Sequence, residues 1–364
     1  MCANNKKQFV NSKIVAIDLF CGAGGVTCGM RKAGIRVPLG VDKDNFKDTY
    51  EKNNPGSLFW QADISKISGR EIIERVNLQA GEKLLLAACA PCQPFSLQNK
   101  KRHQVGSEDK RENLLAEVIR IVDEMERKPD YIFAENVPGI KLNPVFKKFE
   151  EYLYSQYYSL KHGVVNAASY GTPQSRRRLI LIAKKDGFID FPKKTHGKGL
   201  KEEVTVKKAF KGLPPIKAGG GSLKYPDHIC RKLSKTNLER LECIPKDGGS
   251  RDVLPNRLVL DCHKKANVHK DVYGRMAWNK PAPTLTTRCI CLSNGRFGHP
   301  SQNRAISVRE AARLQGFPDE YIFYGNGLDS KAKQVGNAVP VQVAEAFGKY
   351  FLFLEGKVTL RKRE

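Results

Sequence analysis

The apolar run Ile14–Leu19 leads straight into Cys21-Gly22-Ala23-Gly24-Gly25 and then into helix-compatible sequence as far as Lys32. Few features restrict a fold more. A short apolar run bounded by glycines reads as a buried strand, and glycine accepts the positive φ of a tight turn while letting backbone approach a ligand. Strand, turn and helix are therefore expected in that order. The pattern recurs: Arg36 to Val41 ends in Asp42, Leu84 to Cys89 and Tyr131 to Ala134 are further apolar runs, and helical stretches separate them. Such alternation predicts an α/β fold, a Rossmann-like and mostly parallel sheet with helices on both faces. Tyr158 to Val165 and Leu179 to Ala183 are expected to complete it, the later strands as an antiparallel pair.

From about Lys184 to Lys280 the periodicity gives way to Lys, Gly and Pro clusters, among them Gly219-Gly220-Gly221 and Asp247-Gly248-Gly249. This predicts a smaller, irregular domain. Helical patterning returns at Val308 to Gln315 and at Val341 to Phe353, the last helix being expected to pack on the first domain. A chain of 364 residues is longer than one core usually organises. The expected division is 1–183 as the first part of the main domain, 184–304 as the second domain, and 305–364 as a return segment completing the first.

Asp42 closes the second strand, where a carboxylate is placed to accept hydrogen bonds from ribose hydroxyls, and Asp63 is placed to accept one from an adenine amino group. With the glycine turn they outline an adenosine site at the carboxyl ends of the strands. The glycine spacing suits S-adenosyl-L-methionine better than a dinucleotide; taken singly, each residue also reads as an ordinary turn or loop position. Ala90-Pro91-Cys92-Gln93-Pro94 follows the next strand directly, so Cys92 sits in a proline-stiffened loop at the same sheet edge. A thiolate held there is a nucleophile suited to covalent catalysis. Cys89, at the end of an apolar strand, is expected to be buried, which argues against a redox or zinc role for the Cys89/Cys92 spacing.

Glu135, in Ala134-Glu135-Asn136-Val137, closes the following strand and is poised for proton chemistry. Gln174, Arg176 and Arg178 alternate, so strand periodicity predicts one face for all three, with two guanidiniums able to hold a phosphate or a base carbonyl. A strand-end carboxylate and a solvated basic run are the plainer readings of these segments. Lys and Arg total 63 against 38 Asp and Glu, a formal charge of +25. Nucleic acid is the first partner this suggests, and a basic surface kept for solubility the second. The polar N-terminus and the lack of a long apolar stretch lead us to expect an intracellular protein with no membrane span. Cys230, Cys243, Cys262, His263, His269, Cys289 and Cys291 crowd the irregular region without a paired Cys-x-x-Cys spacing, so no metal is expected.

Taken together, Asp18-Leu19-Phe20-Cys21-Gly22-Ala23-Gly24-Gly25, Pro91-Cys92-Gln93, Glu135-Asn136-Val137, Gln174 to Arg178, Arg309 to Pro318 and Gln334-Val335-Gly336-Asn337-Ala338-Val339-Pro340 resemble the C5 cytosine DNA methyltransferases, in family order and over nearly the whole chain. The resemblance implies that Phe20, Gly22, Gly24, Asp42, Lys43, Asp63, Ile64, Pro91, Leu114 and Asn337 line the site for S-adenosyl-L-methionine. Lys43 stands where many relatives carry an apolar or aromatic residue, and Asp109, Arg111 and Leu114 form the segment beside the cofactor. It implies Cys92, Glu135, Arg176 and Arg178 as the catalytic set, with target recognition in 184–304, where Asp271 to Arg288 looks like the closing segment. Double-stranded DNA is the implied partner of a monomeric cytoplasmic enzyme of prokaryotic type, a restriction endonuclease acting separately beside it. A tRNA cytosine methyltransferase on the same scaffold and an inactive DNA-binding paralogue are the alternatives.

Overall fold

The structure is a computed structural model and describes residues 13–91, 114–264 and 271–356. By packing, the chain forms two compact units: residues 1–166, 177–194 and 341–364 in the first, 167–176 and 195–340 in the second.

Unit 1 is built on β1 (Ile14–Leu19), α1 (Gly25–Ala33), β2 (Arg36–Asp42), α2 (Lys47–Asn53), β3 (Leu58–Gln61), α3 (Gly69–Glu74), β4 (Lys83–Ala88), α4 (Leu114–Glu124), β5 (Tyr131–Asn136), α5 (Pro144–Ser155) and β6 (Tyr158–Asn166). The two-residue strand β7 (Gln174–Ser175) belongs to unit 2, and β8 (Arg177–Lys185) returns to unit 1. The seven-stranded sheet runs β3-β2-β1-β4-β5-β8-β6. The first five strands pair in parallel, whereas β8 lies antiparallel to both β5 and β6. The mixed α/β fold is thus the one expected from the alternation of apolar runs, including its antiparallel end. Strands such as β1 and β4 are apolar on both faces because helices cover both.

Chain order reverses at β1: β2 and β3 build outward on one side, β4 and β5 on the other. The switch point therefore falls between β1 and β4, and it is at the carboxyl ends of the strands beside such a point that open α/β sheets hold ligands. Helix α10 (Val341–Leu354) closes unit 1 by lying against α1 at very short range. A Cβ on Gly29 would meet the Ala344 Cβ at 2.5 Å, and one on Gly348 would meet the Ala33 Cβ at 2.8 Å. The return of the last helix to the first domain is borne out, and glycine is what allows the approach.

Unit 2 contains α6 (Val206–Phe210), α7 (Lys235–Cys243), β9 (Ala282–Pro283), α8 (Val308–Leu314) and α9 (Gly327–Asn337), joined by turns and short 3-10 segments. Its irregularity from 195 onward matches the loss of periodicity in the sequence. The expected return segment divides at Pro340: 305–340 packs within unit 2, and Val341 onward within unit 1.

Candidate active site

The glycine turn takes its shape from three backbone commitments. Gly24 N–H donates to the Cys21 carbonyl at 2.8 Å, and Cys21 N–H to the Val41 carbonyl of β2 at 3.1 Å. Gly22 and Gly24 sit at φ +51° and +85°, and Gly24 is the N-cap of α1. Phe20 also has a left-handed φ of +60°, which is uncommon for a side-chain-bearing residue and marks local strain. A Cβ built on Gly22 would touch nothing within 4 Å, so the turn presents open backbone rather than packed core.

Asp42 joins the turn to β2. Its Oδ2 accepts from Gly22 N–H at 2.9 Å and its Oδ1 from Asp44 N–H at 2.9 Å. Burial raises its carboxyl above the ordinary value, opposed by those two N–H groups. Each oxygen retains a further lone pair for a donor such as a ribose hydroxyl. Asp63 caps a 3-10 turn: its Oδ1 accepts from Ser65 N–H at 3.1 Å and Ser65 Oγ at 2.8 Å, which hold the carboxyl below the ordinary range. Ile64 beside it is buried, and Lys43 is exposed. The donor set therefore fits an adenosine-bearing cofactor: open glycine backbone, two carboxylates, and the half-buried Phe20 and buried Ile64 as apolar surface.

Pro91 is the last described residue before the cysteine loop; Cys92, Asp109 and Arg111 lie outside the described residues. The stem of that loop is tied to β5, because Asn136 Nδ2 donates to the Ala90 carbonyl at 3.2 Å. Cys89 is half-buried rather than buried, and its thiol is pushed well above the ordinary value by burial and by the nearby Glu135 charge. Leu114 opens α4 and is half-buried.

Glu135, on β5 opposite Ile180 of β8, forms an ion pair with Arg178: Nε to Oε1 is 3.1 Å, with side-chain exposures of 11% and 15%. The two atoms are at ion-pair distance without hydrogen-bond alignment. Among the described residues neither has another partner, so an N–H and a carboxylate lone pair remain for a third group.

Burial alternates along this segment with the period expected of one face: Gln174 and Arg176 are buried, Ser175 and Arg177 exposed, and Arg178 half-buried. Regular pairing stops at Arg176: Gln174 pairs with Ala282 in the small sheet of unit 2, and Arg177 resumes pairing, with Asn166, in unit 1. The alternation persists although the chain changes sheets between the two strands. Gln174 and Arg176 serve unit 2. The Gln174 amide joins the Leu314 carbonyl at 3.1 Å to the Leu285 N–H at 2.9 Å, and buried Arg176 donates to the Leu285 carbonyl at 2.9 Å and the Gly336 carbonyl at 3.4 Å. Asn337, the last residue of α9, is exposed and belongs to unit 2.

Sequence reasoning missed Asn136 as the brace of the cysteine loop, although an amide following a strand-end carboxylate was the available signal. It also missed Asp18, Thr27 and Tyr50, which lie under the glycine turn and share no short motif.

An adenosine-compatible glycine turn after β1 and a carboxylate–guanidinium pair on β5 and β8 make this an α/β protein with a candidate nucleotide-binding sheet edge. The family model for C-5 cytosine-specific DNA methylase matches residues 14–352. The chain belongs to that family and is a DNA (cytosine-5)-methyltransferase. It is 40% identical to the Type II methylase M.HgiDII of Herpetosiphon aurantiacus, over 93% of this chain and 96% of that protein. Identity to the Type II methyltransferase M1.HphI of Haemophilus parahaemolyticus is 32%, over 92% and 86%. Among solved structures, an Escherichia coli prophage protein described as a DNA modification methyltransferase aligns with TM-score 0.69 and 26% identity, covering 94% of this chain and 99% of that one.

Proposed function

We propose that the methyl donor is S-adenosyl-L-methionine, bound at the carboxyl ends of β1 and β2 by Phe20, Gly22, Gly24, Asp42, Lys43, Asp63 and Ile64, with Pro91 and Leu114 completing the site. When bound, the donor supplies the methyl group that cytosine carbon 5 acquires. The observation that carries the reading is the Glu135–Arg178 pair across β5 and β8, where β5 also holds, through Asn136, the Ala90 carbonyl two residues before Cys92.

In this reading the Cys92 thiolate forms a bond to carbon 6 while Glu135 engages ring nitrogen N3 and the exocyclic amine. The electrons displaced by addition make carbon 5 nucleophilic. After methylation a base removes the carbon 5 proton, the carbon 6–sulfur bond breaks, and the thiolate is released. Arg178 contacts the base carbonyl and orients Glu135, and Arg176 acts within unit 2 through the Leu285 and Gly336 carbonyls it holds. A stacked cytosine cannot meet a thiolate, so the base is extruded from double-stranded DNA at a cost of a few kcal/mol. Phosphate contacts from a chain of charge +25 supply that energy, with steep salt dependence as the consequence. Target recognition lies in the part of 184–304 that packs within unit 2, and methyl transfer is the work of unit 1. The enzyme works as a cytoplasmic monomer of a prokaryotic restriction-modification system, beside a separate endonuclease. Among the described residues no helix is long and apolar enough to cross a membrane.

Transfer of labelled methyl to duplex DNA, compared with tRNA, tests the substrate, and Cys92→Ser tests the nucleophile. The variant is expected to bind cofactor normally and to methylate nothing. Retained methylation in Cys92→Ser removes the covalent mechanism, and labelling of tRNA alone removes the duplex substrate.

A further inference from the structure

Beneath the glycine turn lies a hydrogen-bond chain that the proposed chemistry does not use. Asp18, 1% exposed near the end of β1, accepts at Oδ2 from Thr27 N–H at 3.1 Å and from the Thr27 hydroxyl at 2.7 Å. That hydroxyl has one proton, already given to Asp18, so the 2.8 Å contact between Thr27 Oγ1 and the Tyr50 hydroxyl is one in which Tyr50 donates. The order is Tyr50 to Thr27 to Asp18, with Thr27 and Tyr50 fully buried.

Three further features direct this chain at the turn. Thr27 is the third residue of α1, so Asp18 satisfies one of the otherwise unpaired N–H groups of the helix that Gly24 begins. Asp18 sits opposite Gly40 across β1 and β2, and Gly40 is what admits Tyr50: a Cβ there would lie 2.4 Å from the tyrosine hydroxyl. The Tyr50 ring also packs in a small apolar cluster with Cys21, Phe59 and Phe46. Tyr50 thus holds the turn from both ends, Cys21 before the glycines by packing and Thr27 after them by hydrogen bond. A structural carboxylate would normally fill both oxygens, yet Asp18 Oδ1 is buried without a hydrogen-bond partner among the described residues. Such a cost is tolerated where the other oxygen fixes a shape that matters.

We propose that Tyr50 and Thr27 are positioning residues for cofactor binding, acting through Asp18 to hold Gly22–Gly24 in binding conformation without touching the cofactor. This rests on the reading of that turn as the adenosine site. The hydroxyls, not the bulk of the side chains, carry the effect.

Calorimetric binding of S-adenosyl-L-methionine to the full chain without DNA, with thermal unfolding alongside, tests it on Tyr50→Phe, Thr27→Val and Thr27→Ser. Loss of one buried hydrogen bond is expected to raise Kd roughly three- to tenfold in Tyr50→Phe and Thr27→Val. Thr27→Ser keeps the hydroxyl and is expected to bind like the parent. In methylation assays KM for the cofactor should rise more than kcat falls. If Tyr50→Phe unfolds, the Thr27 pair decides alone. Asp42→Ala separates the two levels of the argument. Weakened binding in Asp42→Ala with parental Kd in Tyr50→Phe and Thr27→Val overturns the relay and keeps the site. Parental Kd in Asp42→Ala overturns the site itself.

Discussion

The two units solve the same problem with different chemistry. Unit 1 satisfies its backbone through a sheet and fills it with Val15, Ile17, Leu39, Leu84, Leu86 and Ile132, all inaccessible or nearly so. Unit 2 has few ladders, and Arg275, Arg304 and Arg309 are among the largest fully buried side chains of the protein. Arg275 donates to the carbonyls of Leu241, Ile244, His299 and Gln302 and to Asn303 Oδ1, and Arg309 to those of Pro226, Pro318 and Tyr321. Arg304 forms a two-pronged pair with Glu310, at 2.7 and 2.6 Å. Buried carbonyls must find donors. Where strands do not provide them, one guanidinium gathers several loops at once, which suits a unit whose loops must hold shape without being regular.

The strongest way to break this comparison is Arg275→Met, which keeps bulk and removes every donor. Several buried carbonyls are then orphaned together, and a loss of about 4 kcal/mol is expected in urea unfolding. Arg275→Lys should recover little, since an ammonium cannot span the same fork of acceptors. A loss under about 1 kcal/mol would mean the arginine fills space rather than holding loops. Leu86→Ala probes the other unit. A fully buried leucine at the centre of β4 should cost about 3 kcal/mol through lost transfer energy and a cavity. No polar group is stranded there, so Leu86→Met should restore most of the loss, whereas no apolar residue should restore Arg275.

The same contrast explains what could be read from sequence. Ile14–Leu19 announced itself because burial on both faces leaves an apolar run, and β2 and β5 through their buried apolar residues Val37, Leu39 and Val41, and Tyr131, Ile132 and Phe133. β3, with Leu58 and Gln61 both exposed, left no such run and was not anticipated. α9 escaped for a related reason: its buried residues Gln334 and Gly336 are not apolar markers, and Gly336 is held where a Cβ would lie 2.1 Å from the Thr286 carbonyl. At the site, Glu135 and the glycine turn were legible as strand-end residues. The alternation of Gln174, Arg176 and Arg178 was legible as a period, whereas the change of sheet between β7 and β8 leaves no trace in it. The Asp18–Thr27–Tyr50 chain needed Gly40 to admit Tyr50, a steric fact visible only in three dimensions.

The smallest effect at neutral pH is also the sharpest comparison, because a buried carboxylate of unit 1, Asp18, and one of unit 2, Glu310, titrate in opposite directions. Burial pushes Asp18 up to about 7 from 3.8, despite the two Thr27 hydrogen bonds. Burial also opposes ionisation of Glu310, but the hydrogen bonds and charge of Arg304 outweigh it and hold that carboxyl below 4.5. The signs follow from linkage. The folded state holds the Asp18 proton more tightly than the unfolded chain, so this contribution is full below 3.8, declines as pH rises to about 7, and is constant beyond. Glu310 behaves inversely: its contribution is present above 4.5 and is lost as pH falls through the lower folded value. Subtracting the stability–pH curve of Asp18→Asn from that of the parent should leave a slope confined between 3.8 and about 7, with the parent losing ground as pH rises. The same subtraction for Glu310→Gln should leave a slope only on the acid side of 4.5, with the parent losing ground as pH falls. Slopes of the same sign would show that both carboxylates are governed by burial alone, and that the arginine of unit 2 does not offset the cost of the charge it faces.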